Sequence, residues 1–111
     1  MSKALIDKLR KAREFKVEAG GHKFTARRPT DCDAIELAGI APVEFVRRFV
    51  IGWDLTELDV IPGGGPEPVA FDAELWAEWV ADRPELWEPL AIPIMEAYKR
   101  HAEQREAAAK N

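Results

Sequence analysis

Gly20-Gly21 narrows what this chain can fold into more than any other feature. Two consecutive residues able to take positive φ suit the tight turn of a β-hairpin, and the residues on either side mirror one another. Folding the chain there sets Ala19 opposite His22, Glu18 opposite Lys23, Val17 opposite Phe24, Phe15 opposite Ala26 and Glu14 opposite Arg27. Apolar residues then meet on one face and opposite charges on the other, each pair contributing about 0.2–1 kcal/mol. A hairpin over residues 15–28 is the expectation. An isolated hairpin is marginal, so its Phe15/Val17/Phe24 face must pack on a helix or pair with another chain.

The remaining periodicities are helical. Between Ser2 and Arg13, Ala4, Leu5, Leu9 and Ala12 fall near one side of a short helix, and the lysines and arginines elsewhere on it read as a solvated face or as an arm that touches a partner. Pro29 closes the hairpin, and Thr30 with Asp33 forms a capping-box-like start for the next helix. Gly39-Ile40-Ala41-Pro42 interrupts that helix, and Pro42 sits in the first turn of another. Val43, Val46, Phe49, Val50 and Trp53 recur at spacings of three and four, which predicts a central helix reaching Gly52-Trp53. Phe45 and Ile51 widen its apolar surface, so it is either buried all round or shared with another subunit.

Residues 54–71 form a long connection in which Leu55, Leu58, Val60 and Ile61 can anchor a helical turn, leaving Pro62–Pro68 as a free tip. Gly63-Gly64-Gly65 lacks the Gly-Lys-Ser/Thr of a phosphate loop and reads as a flexible spacer. Asp72 is an N-cap for a helix carrying Leu75, Trp76, Trp79 and Val80. Asp82-Arg83-Pro84-Glu85 opens a further helix with Leu86, Trp87, Leu90, Ile94, Met95 and Tyr98, where Pro89 and Pro93 call for a break or bend. From Lys99 the tail is polar and alanine-rich, and is expected to project or fray. The expected architecture is a single α+β domain, predominantly α-helical. It comprises an N-terminal helix (1–13), the hairpin (15–28), a helical core (30–98) with the loop 54–71, and a polar tail (99–111).

A net charge of −4 argues against general nucleic-acid binding, which needs clustered Lys and Arg. Cys32 cannot form an internal disulfide and has no base beside it in sequence, so it reads as a small buried filler. His22 and His101 stand too far apart for a metal-ligand pattern, and His22 reads as exposed. Glu74, Glu78, Asp82, Glu85 and Glu88 fall at caps or on solvent-side helix positions, and Ser2 is the sole serine. No catalytic, cofactor-binding or metal-binding residue emerges, and a non-enzyme is expected. The start of the chain lacks the apolar run of a signal peptide, and no run of eighteen apolar residues occurs, so export and membrane spanning are not expected. Four tryptophans are the most distinctive part of the composition. They are partner anchors or the core of a small domain, and the second reading is favoured for at least two of them. Phe45, Phe49, Ile51, Trp53, Trp76, Trp79 and Trp87 are the candidate partner and self-association surface.

Three segments carry a resemblance: Phe49–Asp54 with its Gly-Trp-Asp ending, Pro68–Trp79 opening on Pro-Val-Ala-Phe-Asp, and Asp82–Leu90 reading DRPELWEPL. Together with Arg28-Pro29-Thr30, they resemble the tail assembly chaperones of long-tailed bacteriophages over about half of the chain. Ala70 stands where that pattern often has a second proline, and the N-terminal helix has no counterpart in it. The resemblance implies binding to the tape measure protein, recruitment of tail tube subunits, residence in the bacterial host cytoplasm and absence from the mature virion; a homo-oligomer is expected from the extra apolar surface around Phe45, Ile51 and the tryptophans. The resemblance implies no catalytic or cofactor residues. The alternatives are a small virion structural protein, such as a connector or tail-completion subunit, and a cytoplasmic protein-binding regulator. Such chaperones are often made in a longer form by ribosomal frameshifting, and Ala109-Lys110-Asn111 is compatible with a slippery A-AAA-AAC codon run. The polar tail would then be a spacer to an extension that binds the tape measure protein.

Overall fold

The computed structural model describes residues 2–110; Met1 and Asn111, the latter part of the ending singled out above, lie outside it. The elements in chain order are α1 (Ser2–Ala12), β1 (Glu14–Ala19), β2 (His22–Arg27), α2 (Asp31–Glu36), α3 (Pro42–Phe49), β3 (Val50–Trp53), α4 (Glu57–Val60), α5 (Ala73–Ala81) and α6 (Trp87–Ala109). A 3-10 turn at Pro84–Leu86 leads into α6. The domain is α+β and mainly helical, as the sequence predicts.

The hairpin has the expected register at every pair, from Glu14 opposite Arg27 to Ala19 opposite His22. Gly20 and Gly21 hold φ at +59° and +80°, values that residues with a Cβ rarely adopt. Gly20 also lies where a Cβ would come within 2.7 Å of the Leu86 side chain, so the turn packs against the 3-10 segment. Val17, Ala19, Phe24 and Ala26 face inward and are buried.

The sheet has three strands rather than two, in the order β1-β2-β3, all antiparallel. The central helix ends at Phe49 instead of running to Trp53. Val50 already has extended backbone (φ −86°, ψ 126°), and its N–H closes α3 by donating to Val46 O. Spacings of three and four cannot separate a helix from a short strand here. Val and Ile favour extended backbone, Gly52 weakens a helix, and the open edge of β2 supplies the partners. The β2–β3 register shifts between Thr25 and Ala26, leaving Ile51 as the extra residue of a bulge. Gly52 lies opposite Thr25, where a Cβ would meet the threonine Cβ at 3.1 Å.

Helices α3, α5 and α6 form the second layer, and α6 also packs on β1. Phe45, Val46 and Phe49 of α3, Trp76, Trp79 and Val80 of α5, and Leu90, Ala91 and Ile94 of α6 fill the core with the inner face of the sheet. Asp72 caps α5 by accepting from Leu75 N at 2.9 Å. Helix α6 runs without the break expected at its prolines. Pro89 is in the first turn, where its missing N–H has no intrahelical partner in any case, and Pro93 leaves only the Pro89 carbonyl without its i+4 donor. The polar tail continues α6 to Ala109 instead of fraying at Lys99.

The helical turn expected early in the long loop forms as α4, and the tip expected to be free is folded back onto it. Thr56 and Asp59 make a capping box for α4, with Thr56 N donating to Asp59 Oδ2 at 2.8 Å and Asp59 N to Thr56 Oγ1 at 3.4 Å. Leu58 N to Gly65 O, Glu57 N to Glu67 O and Val69 N to Leu55 O, all near 3.0 Å, roll the Gly/Pro tip back onto α4. A Cβ on Gly64 would meet the Glu57 carbonyl at 2.6 Å, so the Gly-Gly-Gly stretch serves close packing rather than spacing.

Candidate functional site

The aromatic residues expected to form a partner surface are mostly core. Phe45, Phe49, Trp76 and Trp79 are buried, while Ile51, Trp53 and Trp87 are half-buried. All four indole N–H groups donate inside the chain: Trp53 to Val69 O (2.8 Å), Trp76 to Val46 O (3.1 Å), Trp79 to Asp59 O (3.1 Å) and Trp87 to Val80 O (2.9 Å). Trp53, Trp76 and Trp79 also pack on one another, with ring centroids 5.9–6.4 Å apart, a range typical of favourable aromatic pairs. With every indole N–H satisfied internally and Trp76 and Trp79 buried, these side chains hold the loop and helices together.

The surface open to a partner lies elsewhere. An apolar groove of ≈ 850 Å³ runs between α6 and the α2–α3 corner. One wall is Ala34, Leu37 and Ile40, and the other is Ile92, Met95 and Tyr98. Ile92 and Met95 are 51% and 59% exposed, high for large apolar side chains in so small a domain. Of the residues expected to bind a partner, only Phe45 borders this groove.

Local chemistry builds the α2 wall. The Thr30–Asp33 capping box forms as predicted, with Thr30 N donating to Asp33 Oδ2 at 2.8 Å and Asp33 N to Thr30 Oγ1 at 3.1 Å. Gly39 takes φ +79° in the corner that reverses the chain before Pro42 starts α3. Asp33 also accepts from Arg27 Nη1 (3.2 Å) and Arg48 Nη2 (3.1 Å), and Arg48 donates on to Glu36 at 2.8 Å. Burial alone would raise the Asp33 pKa, but the Thr30 hydrogen bonds and the Arg27 charge outweigh it and leave it lowered. Asp31 ties the wall to α6. It accepts from Tyr98 Oη at 2.9 Å and pairs with Arg105, and the Tyr98 hydroxyl is the main cause of its lowered pKa. The same bond raises the Tyr98 pKa.

The groove therefore has an apolar floor and charged groups only at its rim, where Glu88, Glu96 and Lys99 stand. Such a surface suits apolar side chains presented by a helix, with pairing at the edges. Among the residues expected from sequence on this helix, Met95 stands with Leu90 and Ile94, and Ile92 is missing; the signal that could have found them is the width of the apolar arc of α6, which runs from Leu90 and Ile94 through Ala91 and Met95 to Ile92.

Cys32 is exposed rather than buried, because it occupies the outer side of the first turn of α2. His22 is half-buried, 3.8 Å from Asp54 and edge-on to Phe24 and Trp79. Glu74, Glu78, Asp82, Glu85 and Glu88 are all exposed. Among the described residues no group of three His, Cys, Asp or Glu side chains is placed to share a metal ion, and no helix is long and apolar enough to cross a membrane. Compared with protein-family models, curated proteins and solved structures, the chain matches none.

Proposed function

We propose that this protein is a non-catalytic tail assembly chaperone that holds an apolar helical stripe of the tape measure protein in the α2/α6 groove. In this reading it works in the cytoplasm of the bacterial host, helps to recruit tail tube subunits and is absent from the finished particle. The supporting observation is the groove. A tape measure protein is a long helical chain, and before assembly its apolar stripes need a soluble partner. Ile92 and Met95 facing Leu37 and Ile40 offer a helix-in-groove site, and Glu88, Glu96 and Lys99 supply rim charges that can set register. The tryptophans are not part of this contact; they set the position of the walls.

The test is binding of a helical tape measure fragment from the same genome, followed calorimetrically. Met95→Glu places a carboxylate on the apolar wall, and affinity should fall at least about tenfold, or about 1.4 kcal/mol. Equal affinity for the wild type and Met95→Glu would remove the groove from the proposal. Recovery of the protein in purified virions would point to a structural subunit instead.

A further inference from the structure

We propose that the α2/α6 groove of one copy receives helix α1 of a second copy, so that the protein assembles head to tail through the same groove that the cargo helix would use. The cargo is not needed for this inference, which rests only on the groove being a helix site.

All of α1 is exposed, and none of it is buried in the core. Leu5 and Leu9 are 64% and 60% exposed, and at 100° per residue they fall with Ala12 on one stripe, with Ile6 beside it. Lys8 and Arg10 flank that stripe. The helix carries four basic side chains against the single acid Asp7, in a chain whose net charge is −4. A helix that is amphipathic yet buries none of its residues has an apolar face still to be covered.

Helix α1 does not lie in its own groove, none of whose lining residues belongs to it. Arg13 alone separates α1 from β1, and it is tied on both sides: Arg13 N donates to Arg10 O at 3.1 Å, and Arg28 N donates to Arg13 O at 2.8 Å. Folding α1 back would unpick the end of the hairpin. The radius of gyration is 15.7 Å, to which α1 and the exposed end of α6 both contribute. A compact chain of this length would have about 13 Å.

The groove of another copy matches α1 in length and in charge. Eleven helical residues span about 16 Å, and the rim from Glu88 to Lys99 covers the same distance along α6. Leu5, Ile6 and Leu9 would lie against Ile92, Met95 and Leu37, with Lys8 and Arg10 on either edge of that stripe, where one of them can pair with an acid of the rim, Glu88 or Glu96. The two surfaces are different patches of the chain, so the contact is heterologous and leaves a free α1 and a free groove at the ends. Association then either continues into a ring or an open chain or closes as a dimer in which two copies exchange α1 reciprocally. Cargo bound in the groove displaces α1, so assembly and cargo loading exclude each other.

Sedimentation velocity on the full chain and two double variants tests this. Leu5→Glu with Leu9→Glu disables the helix, and Ile92→Glu with Met95→Glu disables the groove; all four positions are exposed, and circular dichroism checks that the fold is kept. The wild type should associate to a dimer or beyond as concentration rises, and each variant alone should be monomeric. Mixed one to one, the variants should form a dimer and stop, because one supplies the only working helix and the other the only working groove. A synthetic peptide of residues 2–13 should dissolve wild-type assemblies. A wild type that stays monomeric, a variant that assembles as the wild type does, or a mixture that yields no dimer would overturn the inference. If the mixture dimerises while no tape measure fragment binds the Leu5→Glu/Leu9→Glu variant, α1 docking stands and only the cargo reading falls.

Discussion

Replacing Trp76 separates the two roles that a tryptophan-rich sequence leaves open. Trp76 is fully buried, its ring lies 5.5 Å from Phe24 and 5.9 Å from Trp79, and its indole N–H donates to Val46 O. Truncation to alanine removes the largest of the fully buried side chains at the junction of α3, α5 and the sheet. Core Trp→Ala changes cost about 3–5 kcal/mol, against roughly 5–15 kcal/mol for the whole stability of a domain this size. At about 4–8 °C per kcal/mol, the melting temperature should fall by at least about 12 °C. Trp76→Phe keeps most of the packing and removes the donor together with its ring. Val46 O retains the Val50 N–H as a partner, so that variant should lose only about 1–2 kcal/mol. Met95→Ala, on the open groove wall, should stay within about 0.5 kcal/mol of the wild type. Urea and thermal denaturation followed by circular dichroism read all three. If Trp76→Ala melts with the wild type, the indole is not core and the placement of α5 against the sheet is wrong.

The groove substitution and the helix–groove complementation above are two further predictions, and two more concern the fold. Gly20→Ala should destabilise by more than about 1 kcal/mol, since a Cβ would be strained at φ +59° and would strike Leu86; a neutral result in denaturation would mean that the hairpin turn does not pack on the 3-10 segment. Asp31, Asp33 and Asp59 all have lowered pKa values, Asp59 chiefly through the Thr56 backbone N–H. Groups lowered on folding stabilise above their unfolded pKa of about 3.9 and lose that contribution as pH falls through the folded values. The melting temperature should therefore drop below about pH 4. Part of that drop should vanish in Asp33→Asn, because Asp33 is the least exposed of the acids in these ion pairs. An unchanged acid profile in that variant would refute the assignment.

Much of the local structure was readable from residues a few positions apart. Gly20-Gly21 with its mirrored flanks specified the hairpin register, Thr30 with Asp33 the start of α2, Pro42 the start of α3, and Asp72 the start of α5. Each is a short-range matter of a backbone dihedral or a capping hydrogen bond, so a few neighbouring side chains decide it. Val50–Trp53 was different. Its apolar spacing fits helix and strand alike, and it became β3 because β2 offered a free edge, which only the assembled sheet provides. The loop 54–71 followed the same rule. Its glycines permit flexibility in isolation, but Trp53 and Trp79 hydrogen-bond to its carbonyls and Gly65 and Glu67 pair back to α4. The site lay furthest from view. Tryptophans outrank Ile92 and Met95 in any sequence list of partner anchors, yet the tertiary structure buries Trp76 and Trp79, half-buries Trp53 and Trp87, and exposes the smaller residues. Which side of an apolar helix meets the core depends on where the other layers sit: α6 is apolar on more than one side, and the sheet, α3 and α5 cover only one of them.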